Sequence, residues 1–434
     1  MSQGLLTAGS GQGWENELVA ALDRPGSPMT VLRRCVDIGD VLAVAGTGQA
    51  AVAVVSADLR KLDTESVTRL RSSGVAVVGV HPMADENART RLLRIGITAL
   101  VPDDAGVDAL VAAARVAVAE LTDIDSATLS ASNLRSVLPP ASTGVDVQIP
   151  DGPPPRGSVV AVWGPTGAPG RTMLAGNLAV EAAAQSVPTL LVDADVYGGV
   201  VSSAFGLLDE SPGLAGACRL AAAGQLDLPA LASLTWSLGD DLRLLTGIAR
   251  ADRWPEVRPS AIPLVLDAAR EMAPLTVVDC AFAIEADEEI SFDTRAPRRN
   301  GATLTVLAEA DVVLVVGSCD PPGLERLVRG LTELGEAVPD AVPRVVLNRC
   351  RSSVGSAAEA EAAVRRFAGL DVYARLPEDR SATDRAWRRG VALAEAAPRS
   401  PLRAAIADLA RSVCRLPVRA RPLSRTDREP VRRG

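Results

Sequence analysis

Short apolar runs alternate with amphipathic stretches along the first 122 residues. Strand-like runs lie at 29–35 (MTVLRRC), 50–58 (AAVAVVSAD), 75–82 (VAVVGVHP) and 98–102 (TALVP), and GLLTAG near the start would make a fifth. Between them, ENELVAALD, TESVTRLRSS, ENARTRLLRIG and VDALVAAARVAVAEL repeat their apolar positions every three to four residues, the period of a helix with one buried face. Strands separated by helices pair in parallel, so this pattern predicts a parallel sheet covered on both faces.

The alternation stops over 123–157, where Ser, Pro and Gly accumulate and PPP occupies 153–155; this stretch reads as a linker. It resumes over 158–414. Buried strands are expected at 158–164 (SVVAVWG), 189–195 (TLLVDAD), 242–247 (LRLLTG), 275–280 (LTVVDC), 311–318 (DVVLVVGS), 344–349 (RVVLNR) and 371–377 (DVYARLP), with Ala-rich helices between them. Residues 285–301 lack an apolar period and read as a surface loop. The last twenty residues, 415–434, carry seven Arg against two acids and read as a solvated basic tail.

Composition sharpens this outline. The chain has 434 residues and a net charge of -8, with 47% apolar but only 3% aromatic residues, so Ala, Val and Leu must fill two interiors. His81 is the only histidine, which excludes His triads and His-ligated metals. The six cysteines, Cys35, Cys218, Cys280, Cys319, Cys350 and Cys414, form no CxxC pair and read as free thiols of a reducing compartment. Trp163, Trp236, Trp254 and Trp387 read as packing residues. No run approaches the length of a spanning helix, and the start lacks a basic, apolar leader, so a cytoplasmic location is expected.

The chemistry concentrates where the first strand of the second unit enters GPTGAPGRTMLAGNLA. A strand, a Gly-rich turn, Arg-Thr and a helix form the order that a phosphate-binding loop requires. Glycines let backbone N–H groups approach an anion, the helix start adds its dipole, a basic side chain reaches the outer phosphates, and the next hydroxyl holds Mg²⁺. Gly167, Gly170, Arg171 and Thr172 fill those places. The strict pattern GxxxxGK[ST] is broken by Pro165 and Arg171. The alternative is a strand–helix turn that binds nothing. Downstream, VDAD offers Asp193 and Asp195, LTVVDC ends in Asp279, and VVLNR presents Asn348. Asp193 and Asp195 serve either an ion site or a turn cap. Asp279 at a buried strand end calls for a partner. Asn348 is either a base contact or a turn residue.

With these residues in place, 158–414 resembles the MinD/ParA family of deviant-Walker ATPases, and within it the CpaE/TadZ branch. The carriers are the strand–GAPGRT–helix, LLVDADVYGG, VVLNR and the LPED…PRSPL ending. The resemblance implies a P-loop NTPase doubly wound sheet that binds ATP or ADP with Mg²⁺. It implies a nucleotide-sandwich homodimer that positions other machinery: a division septum, a pilus or secretion apparatus, or a chromosome. Recruitment to the inner membrane or a cell pole would then run through partners. Carried over residue by residue, the nucleotide contacts are Thr166, Gly167, Ala168, Gly170, Arg171, Thr172, Met173 and Asn348. The metal set is Thr172, Asp193 and Asp279, and the catalytic acids are Asp193 and Asp195. Thr166 stands where the family has its signature Lys and Arg171 where it has the loop Lys, so binding with slow hydrolysis is expected. A non-hydrolysing adaptor with a decayed site is the alternative. A tyrosine autokinase is set aside because Tyr197 and Tyr373 are the only tyrosines, and an Fe–S reductase because no cysteines are suitably spaced.

The N-terminal unit resembles a response-regulator receiver, a flavodoxin-like sheet, with Asp58 near the phosphoacceptor place. No acidic pair follows its first strand and Val101 stands near the usual Lys, so a pseudo-receiver that docks or dimerises is expected. The Arg-rich tail is open to weak contact with DNA or an anionic membrane, or to none.

Overall fold

A computed structural model describes residues 3–9, 13–24, 27–131, 156–207, 213–285, 298–351 and 357–416, with side chains of 122–131 left aside. Most of the expected linker, the core of the 285–301 loop and nearly all of the basic tail lie outside the described residues.

The chain divides into two compact units. The first holds five parallel strands: β1 (Gln3–Ala8), β2 (Met29–Arg34), β3 (Ala50–Ser56), β4 (Ala76–His81) and β5 (Ala99–Pro102). Their order is β2-β1-β3-β4-β5, the flavodoxin-like arrangement. Alternation along β3 explains the two layers. Ala53 and Val55 face one apolar cluster with Val41, Leu70 and Leu92, while Val52 and Val54 face another with Trp14, Leu18 and Leu110. The last helix of this unit, Gly106–Ala131, extends past Asp123 into the stretch read as linker. No Gly or Pro interrupts the sequence between Gly106 and Pro139, so nothing stops the helix where the apolar period fades.

The second unit holds β6 (Ser158–Trp163), β7 (Thr189–Ala194), β8 (Trp236–Ser237), β9 (Leu242–Leu245), β10 (Leu275–Cys280), β11 (Val312–Ser318), β12 (Pro343–Cys350) and β13 (Val372–Pro377). The order is β13-β12-β11-β6-β10-β7-β9-β8, parallel except for the short β8 against β9. All seven expected strands are present; β8, two residues long, has too little sequence to carry a period. Val160 and Val162 of β6 point to the cluster that holds Leu174 and Leu178 of the helix Arg171–Ala183 and Leu402, Ile406 and Leu409 of the helix Pro401–Val413. Helices 262–272, 301–309 and 321–337 cover the sheet as well, giving a doubly wound α/β layer. Arg403 clamps the final helix to the helix Arg171–Ala183 by two bonds to Glu181, at 2.7 and 3.2 Å.

One end of the central strands is tied by a buried ion pair. Arg270 and Asp311 meet at 2.5 Å with side chains 7% and 3% exposed. The same Asp311 oxygen accepts the Val159 N–H at 2.7 Å, and Arg270 also donates to the Gly157 and Glu309 carbonyls. This knot joins the starts of β6 and β11 to the helix before β10.

Candidate functional site

The other end of the same strands carries the loop. β6 ends at Trp163, whose indole N–H donates to the Phe282 carbonyl at 3.2 Å, and residues 164–170 turn the chain into the helix that begins at Arg171. Gly167 (φ 71°) and Gly170 (φ 87°) take left-handed conformations that side-chain-bearing residues adopt only under strain. Thr166 and Gly167 are exposed, and Ala168, Gly170, Thr172 and Met173 are half-buried.

Three aspartates gather beside this loop. Asp279 of β10 is the register neighbour of Asp193 on β7. Asp279 is fully buried, and neither carboxylate oxygen finds a hydrogen bond of full geometry among the described residues. Burial pushes its carboxyl well above the usual range and the Asp193 charge adds to this, while the Thr172 hydroxyl and Arg171 oppose it. Asp193 is pushed up to about 7, chiefly by burial, although N–H groups of Val201 and Asp195 donate to it at 3.2 and 3.1 Å. Gly199 packs so tightly on Asp193 that an added Cβ would lie 2.6 Å from its Oδ1. Asp195 accepts from the Tyr197 and Gly198 N–H groups at 2.9 and 3.0 Å, so it does cap a turn.

Arg171 does not extend into open space. Its guanidinium donates to the Gly164 carbonyl at 3.1 Å and reaches the Pro165 carbonyl at 3.5 Å, and it lies 6.0 Å from the centre of the Phe282 ring. Phe282 packs on Tyr197, and Arg299 stacks 4.0 Å over Tyr197 while donating to the Val196 carbonyl. Asn348 is 4% exposed; its amide donates to the Pro169 carbonyl at 2.9 Å and its oxygen accepts from the Arg349 N–H. It therefore braces the loop from β12. The Cys319 and Cys350 sulfurs lie 3.2 Å apart at the ends of β11 and β12, and all six cysteines are free thiols.

A cavity of about 370 Å³ opens along the loop side that includes Ala168, Gly170, Arg171, Thr172, Met173 and Asn348. Its far wall is Pro377, Glu378, Asp379, Thr383, Trp387 and Leu402. Asp379 caps the helix Arg380–Arg389 through the Ala382 N–H at 3.0 Å and accepts the Ser400 hydroxyl at 2.8 Å. Its carboxyl sits below the usual range, with the Ser400 bond as the main cause. Of the four tryptophans expected to be packing, Trp163 is interior, Trp254 is half-buried, Trp387 is 42% exposed on this wall and Trp236 is 37% exposed elsewhere. The sequence singled out LPED and PRSPL, which hold Pro377, Glu378, Asp379 and Leu402, only as marks of the resemblance and not as a wall of the site, and Trp387 follows no linear spacing from the loop. The site thus unites Thr172, Asp193, Asp279, Arg171 and Asn348, with Asp195 held in its own turn.

In the first unit, Asp58 is exposed two residues beyond β3, and Val101 is buried on β5. Arg91 fixes the Asp58 turn by donating to the carbonyls of Ala57 at 2.5 Å and Leu62 at 2.9 Å. β1 ends at Ala8 and Gly9 follows it, so that strand end supplies no acid among the described residues.

The fold and loop define a doubly wound α/β unit of the P-loop type joined to a flavodoxin-like one. No protein family and no curated protein matches the sequence. Solved structures similar to it include the cell division ATPase MinD of Pyrococcus furiosus, at 19% identity and a TM-score of 0.48 over 59% of this chain and 98% of that one. A ParA family ATPase from Chlorobium tepidum aligns at 20% identity and 0.49 over 58% and 98%. The septum site-determining protein MinD of Pyrococcus horikoshii, complexed with Mg-ADP, aligns at 16% and 0.48 over 59% and 95%. The functional reading rests on the site's own residues. No helix among the described residues is long and apolar enough to cross a membrane.

Proposed function

We propose that the second unit binds ATP or ADP with Mg²⁺ at its loop, and that nucleotide-dependent pairing of two copies lets the protein position a cellular machine. The carrying observation is Asp279: a fully buried carboxylate with no hydrogen bond of full geometry, facing a second buried aspartate beside a Gly-rich loop and a threonine. Such a group costs about 1–3 kcal/mol when left unsatisfied, and a cation removes that cost. Thr172, Asp193 and Asp279 fit an Mg²⁺ donor set, since all are oxygen donors. The ion would shield phosphate charge. Gly167, Ala168, Gly170 and Met173 supply backbone at the phosphates, and Asn348 holds the loop in shape. Trp387, Pro377 and Leu402 give the cavity the flat apolar wall a base needs, and its volume suits a small ligand.

Hydrolysis would be slow, because Thr166 brings no charge and Arg171 is engaged by the loop's own carbonyls. Positioning a septum, a pilus or secretion apparatus, or a chromosome is the role that follows from the sequence resemblance, with the first unit as a pseudo-receiver for docking. A second reading, an adaptor without nucleotide, is favoured by the same Arg171 contact and by the bond of Asn348 to Pro169, which together close the loop on itself.

Calorimetric titration with Mg-ATP and Mg-ADP separates the two readings. The expected dissociation constant is on the order of 10 µM, with ATP driving a monomer to a dimer in light scattering. Asp279→Ala should remove the Mg²⁺ requirement and most of the affinity. Absence of binding by the wild-type protein at about 1 mM ATP leaves the adaptor.

A further inference from the structure

The loop has a second arginine that its own sequence does not reveal. Arg326 lies on the helix Pro321–Ala337, which follows β11, the strand that pairs with β6. Its guanidinium covers Gly167: a Cβ there would lie 3.2 Å from Nε and 3.4 Å from Cζ of Arg326. The Arg326 Nε is buried and has no hydrogen-bond partner among the described residues. Asp320, at its helix start, accepts from the Gly323 N–H and the Ser318 hydroxyl, and the Arg326 charge acts on it without a hydrogen bond, helping to hold its carboxyl below the usual range.

Three neighbouring cations have partners of their own, although the Arg299 Nε, like that of Arg326, has none among the described residues. Arg171 donates to loop carbonyls, Arg299 donates to Val196 and stacks on Tyr197, and Arg380 pairs with Glu378. Buried donors without partners are rare in folded proteins and call for a specific explanation. A guanidinium placed on a Gly-rich loop fits an anion, because its planar donors match phosphate oxygens in paired bonds.

We propose that Arg326 binds the terminal phosphate of a nucleoside triphosphate held at this loop, supplying from a distant helix the positive charge that Thr166 lacks, and so selects triphosphate over diphosphate. This inference rests on the nucleotide reading of the site. It adds a residue and a specificity.

The test is calorimetry of the full chain with Mg-ATP and Mg-ADP, comparing wild type, Arg326→Gln, and Arg326→Gln combined with Thr166→Lys. Thermal unfolding of each variant confirms that it is folded. The expected result is at least a tenfold loss of ATP affinity in Arg326→Gln, with ADP affinity changed less than threefold and ATP affinity partly restored by Thr166→Lys. Equal losses for ATP and ADP, or unchanged ATP affinity, would overturn the role of Arg326 while leaving the nucleotide site intact. A wild-type protein that binds neither nucleotide overturns both readings.

Discussion

The two ends of the central sheet treat buried aspartates in opposite ways. At the starts of β6 and β11, one Asp311 oxygen meets Arg270 and the Val159 N–H while the other has no hydrogen bond among the described residues, and Arg270 also donates to two backbone carbonyls. At the ends of β7 and β10, Asp193 accepts from two backbone N–H groups, and Asp279 has no bond of full geometry among the described residues. Both ends are equally dry, so burial does not distinguish them. The difference lies in whether the fold pairs the carboxylate with a cation of its own, as Arg270 does for Asp311. A completed knot is structural, whereas an incomplete one marks where the protein waits for a charge from outside.

The sharpest way to break the comparison is to make the completed end incomplete. Arg270→Met leaves Asp311 buried without its cation and should lower stability by about 3–5 kcal/mol in urea unfolding. Adding Asp311→Leu to that variant should recover most of the loss, because a buried pair replaced by apolar groups is often neutral.

The reverse manipulation should have the opposite sign and a smaller size. Asp279→Asn removes an ionisable group from the incomplete end and should raise the stability of the ligand-free protein by about 1–2 kcal/mol. The same variant should lose Mg²⁺-dependent nucleotide binding. A destabilised Asp279→Asn protein would mean that the carboxylate is a structural member of the core.

The smallest expected effect is the pH dependence. An ordinary aspartate releases its proton near 3.8, whereas Asp193 in the fold holds it to about 7. Between those values the folded chain binds the extra proton. The stability from this group is therefore complete below 3.8 and lost as the pH rises through about 7. The melting temperature of the ligand-free protein should fall between pH 6 and pH 8 by an amount that Asp193→Asn reduces. Mg-ATP should flatten the slope, because a cation favours the ionised carboxylates.

Much of this comparison could be read from the sequence, because both Asp193 and Asp279 end apolar runs that only a buried strand explains. The strands of both sheets were legible for the same reason: Val- and Leu-rich segments are bounded by Gly, Pro and Asp. Asp311 was legible only as a strand residue. Its partner Arg270 sits on an amphipathic helix, and no spacing links the two. Arg326 was hidden in the same way, since PPGLERLVRGL has the pattern of any half-exposed helix. The inward turn of Arg171 was also invisible, because a loop carbonyl leaves no trace in composition. Linear patterns report which face is apolar; pairing across the sheet depends on strand order, which periodicity does not encode.

That strand order has a consequence for how the protein is made. β6 is flanked by β10 and β11, and its Val159 N–H waits for Asp311, which lies 152 residues later. At ordinary translation rates, about 8–30 s separate their synthesis. During that interval the Gly-rich loop and the first acid pair have left the ribosome without the strands that give them shape. The N-terminal unit completes its five-stranded sheet before the second unit has begun. Nascent chains halted before Asp311 would therefore present a folded first unit tethered to a half-built sheet whose β6 edge still lacks β11, the form in which a chaperone would most often meet this protein.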